Sequence, residues 1–365
     1  MKNKCKYTSI IASILLLGLV NSCAAPSDED TGTSEESTKQ NNNVTAPADN
    51  TEGVAILYNI GFYNVENLFD TKDDPNTQDE WFLPSSKTKW DDKKYNKKLK
   101  DLAKVIDALN DEKGGPDILG LCEVENKQVV EDLINEKSLS KKNYQVVHYE
   151  SPDIRGIDVA MIFDADLFDL ISSESIEVEM PENAAVKTRD ILYCQLKAKS
   201  NSEIIHFYTN HWSSRRNGEN ESYYKRKNCA LALTQHMDEM QLDFNTDNLI
   251  IVGDMNDYPD NKSIYDVLGA KEMDSKGELH NLQYQNHKNG KGTYNYKGEW
   301  GCLDNVIVSN ALMDNLSDTD ATIFDQDWIM YFNKSGEPSP NKTYGGSKYY
   351  GGYSDHLPVY FEINL

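Results

Sequence analysis

The chain has 365 residues and carries 60 acidic against 37 basic side chains, a formal net charge of −23. Residues 1–52 hold four lysines and seven acidic residues, so −20 of this charge falls on residues 53–365. Such a domain repels polyanions at long range, so its overall field cannot recruit nucleic acid; that substrate would need a local basic patch or metal ions. A hydrophobic content of 38% is enough for one large core.

The N terminus has the pattern of a targeting segment. Lysines at positions 2, 4 and 6 precede an apolar stretch, Ile10 to Val20, that is too short to span a bilayer comfortably. It ends in Leu19-Val20-Asn21-Ser22-Cys23, which resembles a bacterial lipoprotein signal with Cys23 as the lipidated residue. We therefore expect residues 1–22 to be a signal peptide and the protein to be extracytoplasmic, lipid-anchored to the outer membrane. An ordinary secretory signal with an incidental cysteine is the alternative.

Residues 23–52 are mostly Ser, Thr, Asn, Asp and Glu, which cannot bury enough surface to offset the entropy of ordering. We predict an acidic disordered tether there and one domain over residues 53–365. The cysteines of the domain have no close pairs that would suit a zinc site. Buried free thiols are expected for them, although the predicted location permits disulfides. They are Cys122, Cys194, Cys229 and Cys302.

Within the domain, strand-like apolar segments alternate with a few helices. Strands are predicted at 55–63, 118–122, 144–148, 157–163, 189–196, 204–210, 250–253, 303–308 and 360–363. Helices are predicted around 99–109, 127–136 and 222–240. Loops are predicted at 71–92 and 277–300, and the Gly/Tyr/Pro-rich segment 331–353 is typical of a mobile lid near a site. Many strands with few helices indicate two packed sheets with helices outside them.

Polar side chains stand at the ends of six of these apolar segments. In Gly253-Asp254-Met255-Asn256, the period of two places Asp254 and Asn256 on the same side of a strand end. There they can hold a water or hydroxyl and a phosphate oxygen together. The other places are Asn64 with Glu66, Glu123, His211, Asp304, and Asp355 with His356. Each alone is compatible with a structural role, but buried carboxylates are rare unless paired or bound to metal, so six such places predict one convergent site.

These motifs resemble the endonuclease/exonuclease/phosphatase family, the deoxyribonuclease I-like metal-dependent phosphodiesterases. The matching segments occur in the family's order over nearly all of residues 55–365. They are Asn64-Val65-Glu66-Asn67, Leu121-Cys122-Glu123, Thr209-Asn210-His211, Gly253-Asp254-Met255-Asn256, Leu303-Asp304-Asn305 and Ser354-Asp355-His356-Leu357-Pro358. The resemblance implies a four-layer α/β sandwich, in which two packed mixed β-sheets are flanked by helices and the site lies at one edge of the sheets.

The resemblance also implies a metal site. Glu123 would be the principal Mg²⁺ ligand, with Asn64 and Glu66 beside it and Asp355 as a further metal contact. Mn²⁺ or Ca²⁺ are alternatives to Mg²⁺. Carboxylates are the hard oxygen ligands that Mg²⁺ requires, and the cation offsets charge that develops on a phosphate in the transition state.

For the catalytic residues, the resemblance implies that His356 pairs with Asp304, and that Asp254 and Asn256 hold the nucleophile and the scissile phosphate. A histidine held by an aspartate contributes about 10² to 10⁴ in rate as a proton-transfer group. His211 would contact the phosphate or serve the leaving group, oriented by Asp158. Apurinic endonucleases usually carry Tyr at the His211 position, which favours the deoxyribonuclease I, sphingomyelinase and inositol-phosphatase side of the family.

Four arginines fall at loop edges near these motifs and are candidate substrate clamps, because a guanidinium binds phosphate through two parallel hydrogen bonds. They are Arg155, Arg189, Arg215 and Arg216. A surface salt bridge is the alternative for each of them.

These observations and the family resemblance suggest three alternative functions. The first is an exported metal-dependent phosphodiester hydrolase, a nuclease that cleaves extracellular DNA or RNA. The second is a phosphatase or phospholipase-type hydrolase of a small or lipid phosphoester, which the acidic domain and the aromatic segment 349–353 favour. The third is a surface-anchored binding protein without catalysis, which the intact motifs disfavour. No obligate protein partner is evident.

Overall fold

The computed structural model describes residues 56–365, apart from residues 111 and 217, so the predicted signal peptide and tether lie outside the described residues. Within this range the α-helices are α1 Asp92–Ala108, α2 Lys127–Ile134, α3 Glu219–Glu239 and α4 Tyr284–Lys288. Shorter helical turns lie at Glu80–Phe82, Lys137–Leu139, Ser263–Leu268, Asn310–Asn315 and Asp327–Ile329. None of these described helices has the length and apolar character needed to cross a membrane.

After residue 254 the strands of the described residues have two or three residues each, apart from two strands of six residues. In chain order they are β1 Leu57–Leu68, β2 Ile118–Val124, β3 Tyr144–His148, β4 Asp158–Asp164, β5 Phe168–Ile176, β6 Ile191–Ala198, β7 Ile204–His211, β8 Asn248–Asp254, β9 Ala270–Lys271, β10 Leu279–Asn281, β11 Tyr294–Tyr296, β12 Glu299–Gly301, β13 Asp304–Ser309, β14 Thr322–Ile323, β15 Met330–Phe332, β16 Pro338–Pro340, β17 Tyr344–Gly345, β18 Lys348–Tyr349 and β19 Val359–Asn364.

Two mixed sheets carry the architecture. The first has the order β14-β19-β1-β2-β4-β3, with β1 and β2 parallel and the other neighbours antiparallel. The second has the order β5-β6-β7-β8-β13-β10-β9, in which β7 with β8 and β9 with β10 are parallel. Both parallel pairs at the sheet centres, β1 with β2 and β7 with β8, therefore send their C-terminal ends to a sheet edge.

The facing sides of the two sheets form one buried apolar cluster that includes Phe62 of β1, Phe207 of β7 and Val252 of β8. The sheets lie close together at Gly120 of β2, where an added Cβ would be 2.7 Å from a methyl carbon of Val252. Helices α1 and α2 cover the outer face of the first sheet, and α3 covers the outer face of the second. The predicted four-layer α/β sandwich is therefore confirmed.

Helix α1 shows how local sequence fixes an element. The Asp91 side chain accepts a hydrogen bond from the Lys94 backbone N–H at 3.0 Å, a cap whose loss typically costs about 1 kcal/mol. Leu99, Leu102 and Ile106 then recur every three or four residues and are buried against the sheet. The predicted helix is present and begins several residues before the first of its apolar positions.

Three regions differ from the sequence expectations. Strand β5 was not predicted, because it is an edge strand whose side chains are mostly exposed and carry little apolar alternation. The predicted loop at 277–300 contains β10, α4 and the β11–β12 hairpin. The predicted lid at 331–353 contains the hairpins β15–β16 and β17–β18, and its backbone is fastened to buried side chains of the domain.

The four cysteines of the domain, from Cys122 to Cys302, are buried and unpaired. Each lies within or directly beside a strand or helix of the core, where a thiol packs as a small apolar group.

Candidate active site

The polar ends of β1, β2, β7, β8 and β13 meet the turn before β19 at one edge of the two sheets. A cavity of about 660 Å³ opens there. Its walls contain most of the predicted site residues, namely Glu123, Arg155, Arg189, His211, Arg215, Arg216, Asp254, Asn256, Asp355 and His356. Asn64 and Asp304 lie directly behind this wall and contact it through hydrogen bonds.

The backbone is unusual where β1, β2 and β8 reach the cavity. Glu66, Glu123 and Asn256 have left-handed φ angles of 50°, 61° and 49°, a conformation that costs a residue other than glycine free energy. Irregular pairing accompanies two of them, between Asn64 and Leu68 in β1 and between Cys122 and Val124 in β2. Such irregularities change the direction of side chains, which in a regular strand would point to one face of the sheet.

His356 and Asp304 form a buried pair, with His356 Nδ1 2.7 Å from Asp304 Oδ2. The Thr293 hydroxyl donates to the same carboxylate oxygen. Burial alone would lower the pKa of His356, but the carboxylates of Asp304 and Asp254 more than offset it and raise this pKa well above its ordinary value. His356 is therefore an imidazolium held in one orientation, and its Nε2 faces Asp254 Oδ2 at 3.8 Å.

Asp254 stands at the centre of the site. Its Oδ1 accepts the Asn256 backbone N–H at 3.0 Å, and its Oδ2 accepts the Asn64 side-chain amide at 3.1 Å. Burial raises the pKa of Asp254 to about 7. A carboxylate with that pKa can accept a proton from water near neutral pH.

Glu123 and Asp355 are two further carboxylates of the cavity wall, and both have acceptor sites left for a ligand. Glu123 accepts the Asn67 backbone N–H at Oε2, 3.0 Å away, while its Oε1 lies 3.4 Å from the Asn64 amide nitrogen. The Asp355 carboxylate makes no hydrogen bond with any residue in the described part of the chain, and burial together with the charge of Glu123 raises the pKa of Asp355. Two carboxylates that face one cavity and repel each other fit a divalent cation, because hard oxygen donors are what Mg²⁺, Mn²⁺ and Ca²⁺ take.

The structure does not bring Glu66 to this cavity. The Glu66 carboxylate accepts the backbone N–H groups of Thr343 at 2.6 Å and Tyr344 at 3.2 Å, so it fastens the β17 segment. Burial and the charge of Asp355 raise its pKa to about 7. Asn64, the other predicted partner of Glu123, presents its NH₂ group to the carboxylates, since its Oδ1 accepts the Glu66 backbone N–H at 3.0 Å.

His211 lies opposite His356. Its Nε2 is 3.8 Å from Glu123 Oε1 and 3.7 Å from Asp254 Oδ2, while its Nδ1 is buried without a hydrogen-bond partner among the described residues. Burial and the charges of Arg189 and Arg155 lower the pKa of His211 well below its ordinary value. His211 is therefore a neutral imidazole.

Asp158 does not orient His211, which corrects the sequence expectation. It stands at the start of β4, which lies between β2 and β3, so its carboxylate meets the end of β3 instead of the second sheet. Asp158 Oδ2 lies 3.2 Å from His148 Nε2, and Asp158 Oδ1 accepts the Ser151 backbone N–H at 2.9 Å.

Two of the four arginines predicted to bind substrate are held by hydrogen bonds within the protein. Arg189 is buried and donates to Asp153 at 2.9 Å and to the backbone carbonyls of His211 and Trp212 at 3.1 and 2.6 Å. Arg215 donates to the Asn256 carbonyl at 2.8 Å and stacks 4.1 Å from the Tyr258 ring centre. These arginines shape the cavity wall and add positive potential to it.

The other two arginines have N–H donors left for a ligand. Arg155 has a half-exposed side chain and one contact, from Nε to Asp153 Oδ1 at 3.3 Å. Arg216 is exposed, and no hydrogen bond or ion pair joins it to another described residue. Phosphate binding in this cavity would fall to these two first.

Tyr258, Tyr294 and Tyr296 form an aromatic wall of the cavity that was not predicted from the sequence. The Tyr294 ring lies 4.9 Å from the His356 ring, centre to centre. Tyr294 and Tyr296 belong to the β11–β12 hairpin, inside a segment that looked like a plain loop. Its density of tyrosines was the available signal, but a loop assignment gave no reason to place them at the site.

A family model described as "Endonuclease/Exonuclease/phosphatase family" matches residues 59–365. A crystal structure of a protein of that family from Bacteroides thetaiotaomicron is 16% identical, with 85% of this chain and 99% of the other covered and a TM-score of 0.53.

Two further solved structures show the same fold. A mannosyl-6-phosphatase of Bacteroides thetaiotaomicron is 16% identical over 84% of this chain and 100% of its own, with a TM-score of 0.52. The human Nocturnin catalytic domain with bound sulfate is 14% identical over 85% and 96%, with a TM-score of 0.50. No curated protein matches the sequence.

Proposed function

This chain belongs to the endonuclease/exonuclease/phosphatase family, and we propose that it hydrolyses a phosphoester bond with the help of a divalent cation. One observation carries the proposal. The His356–Asp304 pair, the buried Asp254 and two incompletely satisfied carboxylates, Glu123 and Asp355, converge on one cavity although they are far apart in sequence.

Glu123 and Asp355 would hold the cation, which we expect to be Mg²⁺, with Mn²⁺ or Ca²⁺ as alternatives. A cation bound there would neutralise charge on the phosphate oxygens as the transition state forms. The Asn64 amide supports this arrangement, because it lies between Glu123 and Asp254, at 3.4 and 3.1 Å, and separates two carboxylates that would otherwise repel.

Asp254 would accept the proton of the attacking water, since its pKa of about 7 is suited to a base near neutral pH. The Asn256 amide donates one N–H to the Trp212 carbonyl at 3.0 Å and has a second N–H for a phosphate oxygen. The His356 imidazolium would donate from Nε2 to the phosphate. The neutral His211 would donate one hydrogen bond on the opposite side.

For the substrate we propose first a nucleic-acid phosphodiester. The aromatic wall of Tyr258, Tyr294 and Tyr296 offers flat surfaces on which bases can stack, a contact worth about 1–3 kcal/mol per base. Arg155 and Arg216 would bind neighbouring phosphates on the other wall.

A small or lipid phosphoester is the second candidate. The charge of −20 on residues 53–365 opposes a polyanion, and a cavity of about 660 Å³ is the size that single small ligands occupy. Salt separates the two candidates, because binding of a polyanion weakens steeply as salt rises and binding of a small phosphoester much less.

We further propose that Cys23 carries a lipid and that the domain lies outside the cytoplasm. The support is the residue pattern of positions 2–23. Membrane fractionation of cells that express the wild type and Cys23→Ala tests this; equal release of both proteins would contradict it.

The function is tested with a panel of phosphoesters, with and without EDTA: linear DNA, RNA, bis-p-nitrophenyl phosphate, p-nitrophenyl phosphate, inositol phosphates and sphingomyelin. We expect EDTA-sensitive turnover by the wild type and a large loss in His356→Ala. His206→Gln is the matched control, since His206 is equally buried and hydrogen-bonds Tyr193 at 2.8 Å. No turnover of any substrate, with or without added cations, would favour a non-catalytic binding protein instead.

A further inference from the structure

A second group of possible metal ligands lies at the end of β3, outside the cavity. His148, Glu150 and Asp158 each offer one ligand atom, and these atoms lie within 4.8 Å of one another. His148 Nε2 is 3.2 Å from Asp158 Oδ2, and His148 Nδ1 is 4.0 Å from Glu150 Oε1. None of the three residues lines the cavity.

Polar atoms in this group are buried and unsatisfied. The side chains of His148 and Asp158 are each only 2% exposed. His148 Nε2 and Asp158 Oδ2 face each other, yet neither makes a hydrogen bond of acceptable geometry with any described residue. The Ser151 hydroxyl beside them is also buried without a partner. Buried polar atoms are almost always paired, so several of them in one place indicate a missing ligand.

The spacing fits a shared cation better than a hydrogen bond. Ligands bound to a tetrahedral metal at about 2.0–2.1 Å stand about 3.3 Å apart. The observed 3.2 Å between His148 Nε2 and Asp158 Oδ2 matches that value. An imidazole with carboxylates is the donor set of Zn²⁺ and similar transition metals, whereas Mg²⁺ and Ca²⁺ take oxygen ligands.

The charge around the group has the sign a cation needs. Glu150 and Asp158 each offer a carboxylate oxygen at this place. Asp74, on a neighbouring loop, adds a further negative charge nearby. The Glu150 side chain is 67% exposed, so water can reach the group and complete a coordination shell.

From this geometry we propose that His148, Glu150 and Asp158 form a binding site for a divalent transition-metal cation of the Zn²⁺ class. The site is separate from the Glu123 site and does not rest on the proposed hydrolysis. His148 Nε2 and Asp158 Oδ2 are the inner ligands, and the Glu150 carboxylate closes the site from the solvent side.

The site holds the loop that joins β3 to β4. Its ligands bracket that loop, and Asp153 within it receives Arg189 at 2.9 Å. Arg189 in turn donates to the His211 carbonyl at 3.1 Å. Arg155, a candidate clamp, is carried by the same loop. A cation at the base of the loop would therefore position one wall of the cavity without touching substrate.

The test is Zn²⁺ binding by the full chain, stripped of metal and dialysed against Zn²⁺ at a concentration fixed by a chelating buffer, with bound zinc measured by atomic emission. We expect the wild type to bind one zinc equivalent more than His148→Gln. Glu150→Gln, an exposed change that leaves the core intact, should weaken this equivalent at least about tenfold. His236→Gln is the matched control, because His236 also faces an acidic partner, Glu174, at 3.1 Å but its Nδ1 and Nε2 are both hydrogen-bonded.

Hydrogen exchange gives an independent readout. Zn²⁺ should slow exchange of the Ser151 amide in the wild type and in His236→Gln, but not in His148→Gln. Equal zinc stoichiometry and affinity in the wild type and Glu150→Gln would overturn the proposal, whether or not His148→Gln folds, and would leave the group as a plain ion pair. All four proteins keep the cavity carboxylates, so the readout is the difference in zinc equivalents between them.

Discussion

His211 and His356 lie on opposite sides of Asp254, at 3.7 and 3.8 Å from the same carboxylate oxygen, and both are buried. Their neighbourhoods differ in two respects. Asp304 binds the far nitrogen of His356, whereas the far nitrogen of His211 has no acceptor among the described residues and Arg189 lies nearby. Burial together with the charges of Arg189 and Arg155 lowers the pKa of His211, whereas at His356 the carboxylates of Asp304 and Asp254 more than offset burial and raise the pKa.

The difference shows that the residue type does not determine the role. One imidazole can donate a proton or a strong charge-assisted hydrogen bond, while the other can offer only a neutral donor. Environments that push two pKa values apart are how a site assigns separate tasks to similar groups.

The largest effect is expected on the His356 side. His356→Ala should lower kcat by about 10⁴, the upper range for loss of an acid–base group, because it removes the charged donor. Steady-state kinetics on the best substrate of the panel measure this. Since Asp304 acts through His356, adding Asp304→Asn to His356→Ala should cost almost nothing more. Fully additive losses would separate the two residues.

A smaller effect is expected on the His211 side. His211→Ala should lower kcat by about 10², as expected for loss of one preorganised donor. Because His211 is neutral, this loss should have the same size at pH 6 and pH 8. A loss that grows as the pH falls would show that His211 acts as an imidazolium, and the contrast between the two histidines would disappear.

The arginines of the cavity sharpen the comparison. Burial together with the charges of Arg189 and Arg155 lowers the pKa of His211, while Arg216 keeps its donors available to substrate. Arg216→Ala should raise KM about tenfold with kcat nearly unchanged, the result of losing one charge-assisted contact to phosphate. Arg215→Ala should instead lower the melting temperature, because Arg215 fixes the Asn256 carbonyl and Asp257. A lower kcat in Arg216→Ala with unchanged KM would contradict the clamp role.

The smallest effect is expected on the pH dependence of stability. It concerns Glu125, a buried acid outside the cavity, where burial is the main cause of the pKa shift. Burial raises the pKa of Glu125 to about 8 from an ordinary 4.5, so between those pH values the folded protein holds a proton that the unfolded chain has lost. Stability should therefore decrease as the pH rises through this window, and less steeply in Glu125→Gln. Denaturant unfolding from pH 4.5 to 8 measures it; identical slopes in both proteins would contradict the shift.

The sequence predicted the two-sheet sandwich because its central strands are continuous apolar runs and its motifs follow the family's order. It could not predict β5, whose side chains are mostly exposed, or the hairpins within 331–353, where glycine and tyrosine suggest a loop. Alternation of apolar and polar residues reveals a strand only when one of its faces is buried. An edge strand whose side chains are mostly exposed lacks this alternation.

The sequence likewise predicted those site residues that lie at strand ends, but not those whose position depends on a loop or a kink. Glu123, Asp254 and Asp304 lie at strand ends. Because the order of the strands brings these ends to one edge of the sheets, the three residues converge. The direction of Glu66 and the partner of Asp158 depend on a local kink and on the β3–β4 loop, which no spacing encodes. The aromatic wall depends on a hairpin that the composition concealed.

Phosphoester hydrolysis by this protein is expected to require a cation bound by carboxylates from distant strands. The most direct test of this requirement is the hydrolysis rate as a function of Mg²⁺ after EDTA treatment, in the wild type and Glu123→Gln, with Glu125→Gln as the control two residues away and outside the cavity. We predict a saturable Mg²⁺ dependence that Glu125→Gln shares and Glu123→Gln loses. Hydrolysis that persists in EDTA, or a Glu123→Gln curve that overlies the wild type, would contradict the account.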